Sequence, residues 1–510
     1  MQSEGDGATN AADQWFELSK EALSRLERND PGVTRLSICG NNWIDGAHRA
    51  IANSTCLKNL SIWLERGDEG FWYPLFSSLA TNRSIEKFSL FEDGPSFFED
   101  DSISDLAPFF KNNNNLRSIE FGSLVQHKPF GIDTIIKALS SCKSDQLEHI
   151  KIYGIFCTDE ESAEFIDLVG KQQRLRTLDL GDLFNQQRDV LSIVAHVALT
   201  NLLESPASTI QDLRIQPTGG VLNRLADVLL SEETLTSLDL SHGFLCAEEM
   251  IEFFDALPSC SLVKLSMSGS YFNDECITLI GNALADNDVL EYLDLSDNYE
   301  ITAAGWREFS KCLRNPYSAL VELDLRQCSI DDERAAVIVS ALASNSCLKI
   351  LHLKCFRTTE TKDSAWEVLS HLLCDTSSID SIAFSSNHTI HTIDICSGEE
   401  GAPEDVISLL EMNKNESNAG SARRKILKYK FSEEKSSMHV FARMPEAVLP
   451  CAIGWVGRDR HGYSAMYNLL RCLPSIVCGS SSDGHNAAVG TKKRKVHTST
   501  TETNTNNCKK

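Results

Sequence analysis

The sequence is poor in positive charge. Lys and Arg number 48 against 72 Asp and Glu, a net charge of −24 over 510 residues. A body that acidic stays soluble and repels nucleic acid and anionic lipid, so neither is expected to bind it directly. No apolar run approaches the roughly 20 residues of a bilayer-spanning helix, and no membrane association is expected. The phosphate-cradling GxxxxGK[ST] and dinucleotide GxGxxG patterns are missing. So are the GxSxG elbow and the HExxH zinc helix. Neither enzymatic chemistry nor a cofactor is therefore expected. The 17 cysteines are odd in number and lack close pairing. His352, Cys355, Cys374 and Cys396 are too dispersed for a zinc site, which needs paired close ligands. The polar, acidic segment from Met1 to Asn10 does not read as a secretory leader. Reduced thiols and a cytoplasmic or nuclear location follow. The Asn-x-Ser/Thr sites at Asn53, Asn82, Asn387 and Asn415 are then expected to stay unmodified.

What the chain has in abundance is one recurring phrase: apolar, two variable, apolar, one variable, apolar. It starts at Val33, Leu57, Ile85, Leu116, Leu147, Leu175, Ile210, Leu235, Leu262, Leu290, Leu320, Leu348, Ile379 and Ile426. From Val33 to Ile379 the step averages about 29 residues, at the upper edge of leucine-rich repeat periods. The last two apolar positions are two apart, so they share one side of a short strand. Between phrases the pattern turns helical: Ile277, Ile280 and Leu284 fall on one face, as do Ala335, Val339 and Leu342. Asparagine stands three residues before the phrase at Asn82, Asn113, Asn287 and Asn345. It is expected to end the helix there, because it tolerates the left-handed conformation. The expected fold is an α/β horseshoe, with parallel strands on the concave face and helices on the convex face.

The run LEYLDLSDNYEITAAGWREFSKCL, followed by LVELDLRQCSIDDERAAVIVSALASNSCLKILHL, resembles the ribonuclease-inhibitor subclass of leucine-rich repeats. That family's Asn or Cys after the strand is matched at Asn41, Asn298, Cys328 and Asn387, and is missing after Leu57, Leu147 and Leu175. The resemblance implies about fourteen repeat units over residues 30–435, with an insertion near 391–425. The segment EDVISLLEMNKNESNAGSARRKILKYKF, leading into MPEAVLPCAIGWVGRDRHGYSAMYNLLRCLPSI, is similar to the C-terminal block of uncharacterised leucine-rich repeat proteins of unicellular algae. Ran GTPase-activating proteins resemble this architecture, so a GTPase-activating regulator is one alternative function. However, the mixed region after Ile426 lacks the acidic stretch usual in that family, and no arginine here matches its catalytic one. A ubiquitin-ligase substrate adaptor is a second alternative, although about 30 residues before the first strand leave little room for a helical adaptor module.

The ends have their own readings. Residues 12–28 read as an amphipathic helix with Trp15, Leu18, Ala22 and Leu26 on one side, forming an N-terminal cap over residues 1–29. Residues 436–476 read as a helical C-terminal cap using Trp455, Met466, Leu469 and Leu470. Residues 477–510 have the composition of a disordered tail. Within it Lys492, Lys493, Arg494 and Lys495 resemble a nuclear import signal that an import receptor could read. The acidic interval Glu92–Asp105, with Phe97 and Phe98, is a further candidate binding loop.

Variable residues of each strand phrase face into the horseshoe, because neighbours alternate sides. Asp179, Asp212, Asp239, Asp294, Glu322 and Asp324 form a candidate acidic stripe for a basic protein partner. Arg214, Lys264 and Arg326 are exceptions within it. Trp63, Phe91 and Tyr153 are candidate aromatic anchors. An Asp between two leucines is also common in this repeat type whatever it binds. On the stripe reading, reversing Asp239, Asp294 and Asp324 to Lys weakens partner binding without unfolding the chain.

Overall fold

The computed structural model describes residues 15–431, apart from 65–68, 93–105, 124–131, 144, 154, 182, 186–192, 206, 218, 232–233, 244, 316, 354–361, 395–401 and 415–416, and it also describes Gly454. The chain forms two compact units, residues 1–426 and 427–510. In the second unit the described residues are a π-helical turn, Leu427–Phe431, and Gly454. The Glu92–Asp105 loop beyond Glu92, the basic cluster Lys492–Lys495 and the C-terminal cap side chains lie outside the described residues, as do Cys355 and Cys396.

Among the described residues, sixteen strands follow one another along the first unit. They are β1 Phe16–Glu17, β2 Arg35–Cys39, β3 Asn59–Leu64, β4 Lys87–Glu92, β5 Ser118–Ser123, β6 His149–Tyr153, β7 Ile155–Cys157 and β8 Thr177–Leu180, then β9 Leu183–Asn185, β10 Asp212–Ile215, β11 Ser237–Asp239, β12 Lys264–Ser266, β13 Tyr292–Asp294, β14 Glu322–Asp324, β15 Ile350–His352 and β16 Thr392–Asp394. Strands β7 and β9 pair with each other in a small separate sheet, and the other fourteen form one parallel sheet in chain order. Parallel neighbours need a crossover between them, and most strands are followed by a helix that provides it. The phrase residues Leu36, Ile38, Leu60, Ile62, Leu293 and Leu295 are fully enclosed between sheet and helices. Helix starts are fixed by local side chains. Thr158 and Glu161 exchange a reciprocal cap, with Oγ1 accepting from the Glu161 amide at 3.2 Å and Glu161 Oε2 accepting from the Thr158 amide at 2.6 Å. Asn273, Thr302 and Asp331 cap later helices from one side, each side-chain oxygen accepting an amide of the first turn. In the helix Asp332–Leu342 the expected Ala335 and Leu342 are buried together with Ile338 and Ala341, whereas Val339 is only half-buried.

Twelve of the expected phrases are strands, and two are not. Ile379 opens a π-helical turn at Ser381–Ser385, and Ile426 ends the helix Asn418–Ile426. The last strand is instead Thr392–Asp394, in the phrase IHTIDI that starts at Ile390 and fits the pattern equally well. At the N-terminus one continuous helix over 12–28 is replaced by strand β1, paired with β2, and a helix at Lys20–Glu27. Leu18, Ala22 and Leu26 are buried, whereas Trp15 is 42% exposed. Trp15 precedes the helical turn, so it does not share that face.

The asparagines before the strands are buried crosslinks between repeats, and none of the four has positive φ. Asn82 Nδ2 donates to Ile51 O at 2.9 Å, Asn113 to Ile85 O at 2.8 Å, Asn287 to Leu257 O at 2.7 Å and Asn345 to Leu313 O at 2.7 Å. Each Oδ1 accepts an amide two or three residues ahead. The side chain thus satisfies polar backbone groups that both repeats would otherwise bury unpaired. Asn387 belongs to this row, three residues before Ile390, and donates to Leu342 O at 2.8 Å. It is not the post-strand asparagine that the phrase at Ile379 implied.

Candidate functional site on the concave face

Register fixes which outward-facing residues become neighbours. A central row runs from Glu17 through Ser37, Ser61, Ser89, Glu120, Lys151, Asp179 and Arg214. It continues through Asp239, Ser266, Asp294, Asp324 and His352 to Asp394. Asp212 and Glu322 stand two positions earlier on their strands, in a parallel row with Thr177 and Tyr292.

At four strands an aspartate in the central row also marks where the strand ends. Its Oδ1 accepts the amide two residues on: Gly181 at 3.2 Å from Asp179, Ser241 at 2.9 Å from Asp239, Ser296 at 2.9 Å from Asp294 and Arg326 at 3.0 Å from Asp324. This Asx bond turns the chain at the end of the strand, where the Leu240 and Leu295 amides still donate to Ser266 O and Asp324 O of the next repeat. Strands β11, β13 and β14 stop at that residue, and β8 runs one further. The Ser266 exit is held from the side instead, by the Ser268 amide donating to Ser241 Oγ at 3.2 Å. Where the central residue is Ser, Glu or Lys, strands β2 to β6 continue for two or three residues. Those extra positions create a third row: Cys39, Trp63, Phe91, Gly122 and Tyr153.

That third row brings the three candidate aromatics together. Trp63 and Phe91 stack with ring centroids 4.4 Å apart and planes 27° apart. Phe91 and Tyr153 lean over Gly122 from either side. A Cβ placed on Gly122 would sit 3.0 Å from Phe91 Cδ1 and 3.3 Å from Tyr153 Cδ2. Gly122 does not have positive φ, so its backbone does not require glycine; the two rings occupy the space. All three aromatic side chains stay partly exposed. Burial, with the Asp179 and Glu120 charges, holds the Tyr153 phenol protonated well beyond its ordinary range.

The acidic stripe is not uniform. Arg214 Nε lies 3.2 Å from Asp239 and 3.9 Å from Asp179, and Lys151 Nζ lies 3.9 Å from Asp179. Glu120 is paired with Lys87 at 2.7 Å. The Arg326 guanidinium grips the buried Asp324 at 2.5 Å, and Glu322 Oε1 faces His352 Nε2 at 3.1 Å. Asp212 is exposed and accepts from Thr177 Oγ1 at 3.3 Å. Asp294 instead takes the Ser266 hydroxyl at 3.1 Å, and burial pushes its carboxyl above the ordinary range, with the Asp324 charge adding to the effect. A negative field therefore remains over β13 and β14, while the surroundings of the aromatic row are self-neutralised.

These contacts correct the charge-reversal expectation. Lysine at 239, 294 or 324 would also delete the Asx bond, so lost binding there would not separate charge from folding. Asn keeps the Oδ1 acceptor and removes only the charge. Asp294→Asn should match or exceed wild-type stability, whereas Asp294→Ala should lose about 1–2 kcal/mol through the orphaned Ser296 amide. Urea unfolding at neutral pH checks this; equal losses in both variants would contradict the assigned bond.

No family model matches the chain. NACHT, LRR and PYD domains-containing protein 5 of Homo sapiens is 28% identical over 253 residues, which is 47% of this chain and 20% of that protein. Protein 13 of the same series, also from Homo sapiens, is 28% identical over 260 residues, 49% and 24% of the two chains. Protein 9 from Bos taurus is 28% identical over 163 residues, 31% and 16%. The chain thus spans a quarter or less of the length of these relatives. The repeating strand phrase, the in-register parallel sheet and these relatives agree. The chain is a leucine-rich repeat protein. The chain is also similar to two solved structures. One is the Rad7 and Elc1 complex of yeast, with TM-score 0.45 and 18% identity over 70% of this chain and 86% of that one. The other is the leucine-rich repeat-containing protein LegL7 of Legionella pneumophila, with TM-score 0.38 and 14% identity over 66% and 92%. Among the described residues of this leucine-rich repeat protein, no group of three His, Cys, Asp or Glu could hold a metal ion, and no helix is long and apolar enough to cross a membrane.

Residue-by-residue reading found Trp63, Phe91 and Tyr153 but missed Gly122 between them. It also missed the reason that the aromatics occur only in early repeats. The signal was partial: the phrases LSI, FSL, IEF and IKI lack the Asp of LDL, but so do LRI, LSM and LHL of later repeats.

Proposed function

We propose that this protein is an interaction scaffold whose concave sheet face docks a protein partner, without chemistry at the site. The observation that carries this reading is the third row, where three in-register aromatic side chains stay partly exposed. Large rigid rings on a preformed sheet bind at low entropic cost and are favoured anchors. The charges beside them are internally paired, so this end takes apolar side chains. The carboxylates over β13 and β14 favour basic side chains from the same partner. A helix in most return segments supports placing the repeats in the ribonuclease-inhibitor-like subclass.

The test compares partner recovery by the full chain and three variants after cross-linking in the native cell. Trp63→Ala should cut recovery of concave-face partners at least tenfold, as expected for a hot spot of about 2 kcal/mol. Gly122→Ala adds one methyl group between two rings and should also reduce recovery, with a stability loss of about 1–3 kcal/mol. Asp294→Asn should weaken binding mainly at low salt. Undiminished recovery by both Trp63→Ala and Gly122→Ala, with cross-links mapping to the helices, would reject the concave-face reading.

A further inference from the structure

The helix Asn418–Ile426 closes the C-terminal end of the first unit in an unusual way. The residues it buries are Gly420, Ser421, Lys425 and Ile426, only one of which is a large aliphatic. Its attachment is chiefly polar. Ser421 Oγ donates to Asn413 Oδ1, and Asn413 Nδ2 donates to Ile390 O at 2.6 Å. Lys425 is 0% exposed. Its Nζ lies 2.6 Å from Leu373 O, at the end of the helix Lys362–Leu373, and 2.7 Å from Asn387 O. His388 Nδ1 is its third neighbour, at 3.3 Å. No carboxylate accompanies it among the described residues.

We propose that Lys425 and His388 form a proton-controlled latch that holds the helix Asn418–Ile426 on the last repeat and releases it as the pH falls. The geometry accommodates an uncharged amine completely. It donates two protons to Leu373 O and Asn387 O and accepts one from His388 Nδ1–H. A charged amine donates all three, which obliges His388 to be neutral with its proton on Nε2. That nitrogen is buried with no hydrogen-bond partner. An imidazolium beside the ammonium has no place in either arrangement.

The titratable groups facing the site bear this out. From the helix Lys362–Leu373 and its end comes the buried Cys374 thiol, which weakly favours the charged amine. From the turn before β16 comes His388. The π-helical turn Ser381–Ser385 contributes backbone carbonyls and no charge. At the end of the helix Glu404–Asn413, Glu411 and Lys414 pair with each other. Burial lowers the amine to about 7, and burial with the Lys425 charge lowers the imidazole to about 4.

Both groups are bases whose folded values lie below their ordinary ones. The released helix therefore binds more protons than the docked one, and docking weakens as pH falls. Lys425 acts between about 10.5 and 7, and His388 between about 6.5 and 4.

Hydrogen exchange of the full chain, read by mass spectrometry and corrected for intrinsic rates, tests this at pH 8.5, 7.0 and 5.5. Protection of residues 418–426 should fall roughly tenfold at each step. The helix Asp274–Ala285 should hold constant and so report against global unfolding. Lys425→Met should flatten the first step and His388→Gln the second. Flat protection in the wild type overturns the latch, as does a pH profile that survives both substitutions. If Lys425→Met leaves the helix permanently open, the wild-type profile with the His388→Gln comparison still decides.

Discussion

Replacing Asn298 by alanine should lower stability by about 4 kcal/mol, among the largest effects of any single side chain here. Asn298 is fully buried just after β13. Its Nδ2 donates to Met267 O at 3.1 Å, Leu295 O at 2.9 Å and Ser296 O at 3.2 Å, and its Oδ1 accepts the Ser270 and Phe272 amides, each at 3.1 Å. Alanine leaves two donors and the shared carbonyls without partners, and each buried group so orphaned costs about 1–3 kcal/mol. Asp at this position keeps the acceptor but sets oxygen against three carbonyls, so it should be comparably harmful. The next repeat shows the reduced form of the device: Cys328 Sγ reaches Leu295 O at 3.1 Å from the same position. Asn298→Cys should therefore lose less than Asn298→Ala. Denaturant midpoints give the order, and a loss below about 1 kcal/mol for alanine would remove the crosslinking role.

Phe88→Ala should cost about 3–5 kcal/mol, the range for deleting a buried aromatic from a packed core. The Phe88 ring lies 5.4 Å from Phe109, 5.8 Å from Phe110 and 6.4 Å from Phe121, and none of the four is exposed. These rings join β4 and β5 to the helix Ala107–Asn112. Strand alternation sends Phe88 and Leu90 inward and Ser89 and Phe91 outward. The same substitution should therefore loosen the aromatic row and reduce partner binding together with stability. Phe88→Leu, which refills most of the volume, should lose much less. Calorimetry on the three proteins checks the order. Binding that falls while stability holds would place Phe88 in the interface instead of the core.

How much was legible varied with the range of the interaction. Twelve strand phrases could be read directly, because a buried apolar pair two apart has few other uses. Ile379 and Ile390 offered the same pattern 11 residues apart, and pattern alone had no means to choose between them. Packing chose, since Asn387 must bond back to Leu342 and Asn345, which places the strand at Ile390. The pre-strand asparagines show their regular spacing in the sequence, which by itself suggests a local backbone role. Their partners lie some 30 residues away, beyond any local rule. The acidic stripe was legible as composition, but its charge was not, because Arg214 and Lys151 neutralise part of it only once register sets the strands side by side.

The sequence by itself determined the repeat, the parallel sheet and the inward leucines, because period and burial are properties of a single chain segment and its solvent. Only the tertiary structure decided which outward residues become one surface. Whether Trp63, Phe91, Gly122 and Tyr153 form a row depends on strand length and register. Those are fixed by hydrogen bonds between repeats and by whether an aspartate turns the chain at the strand's end.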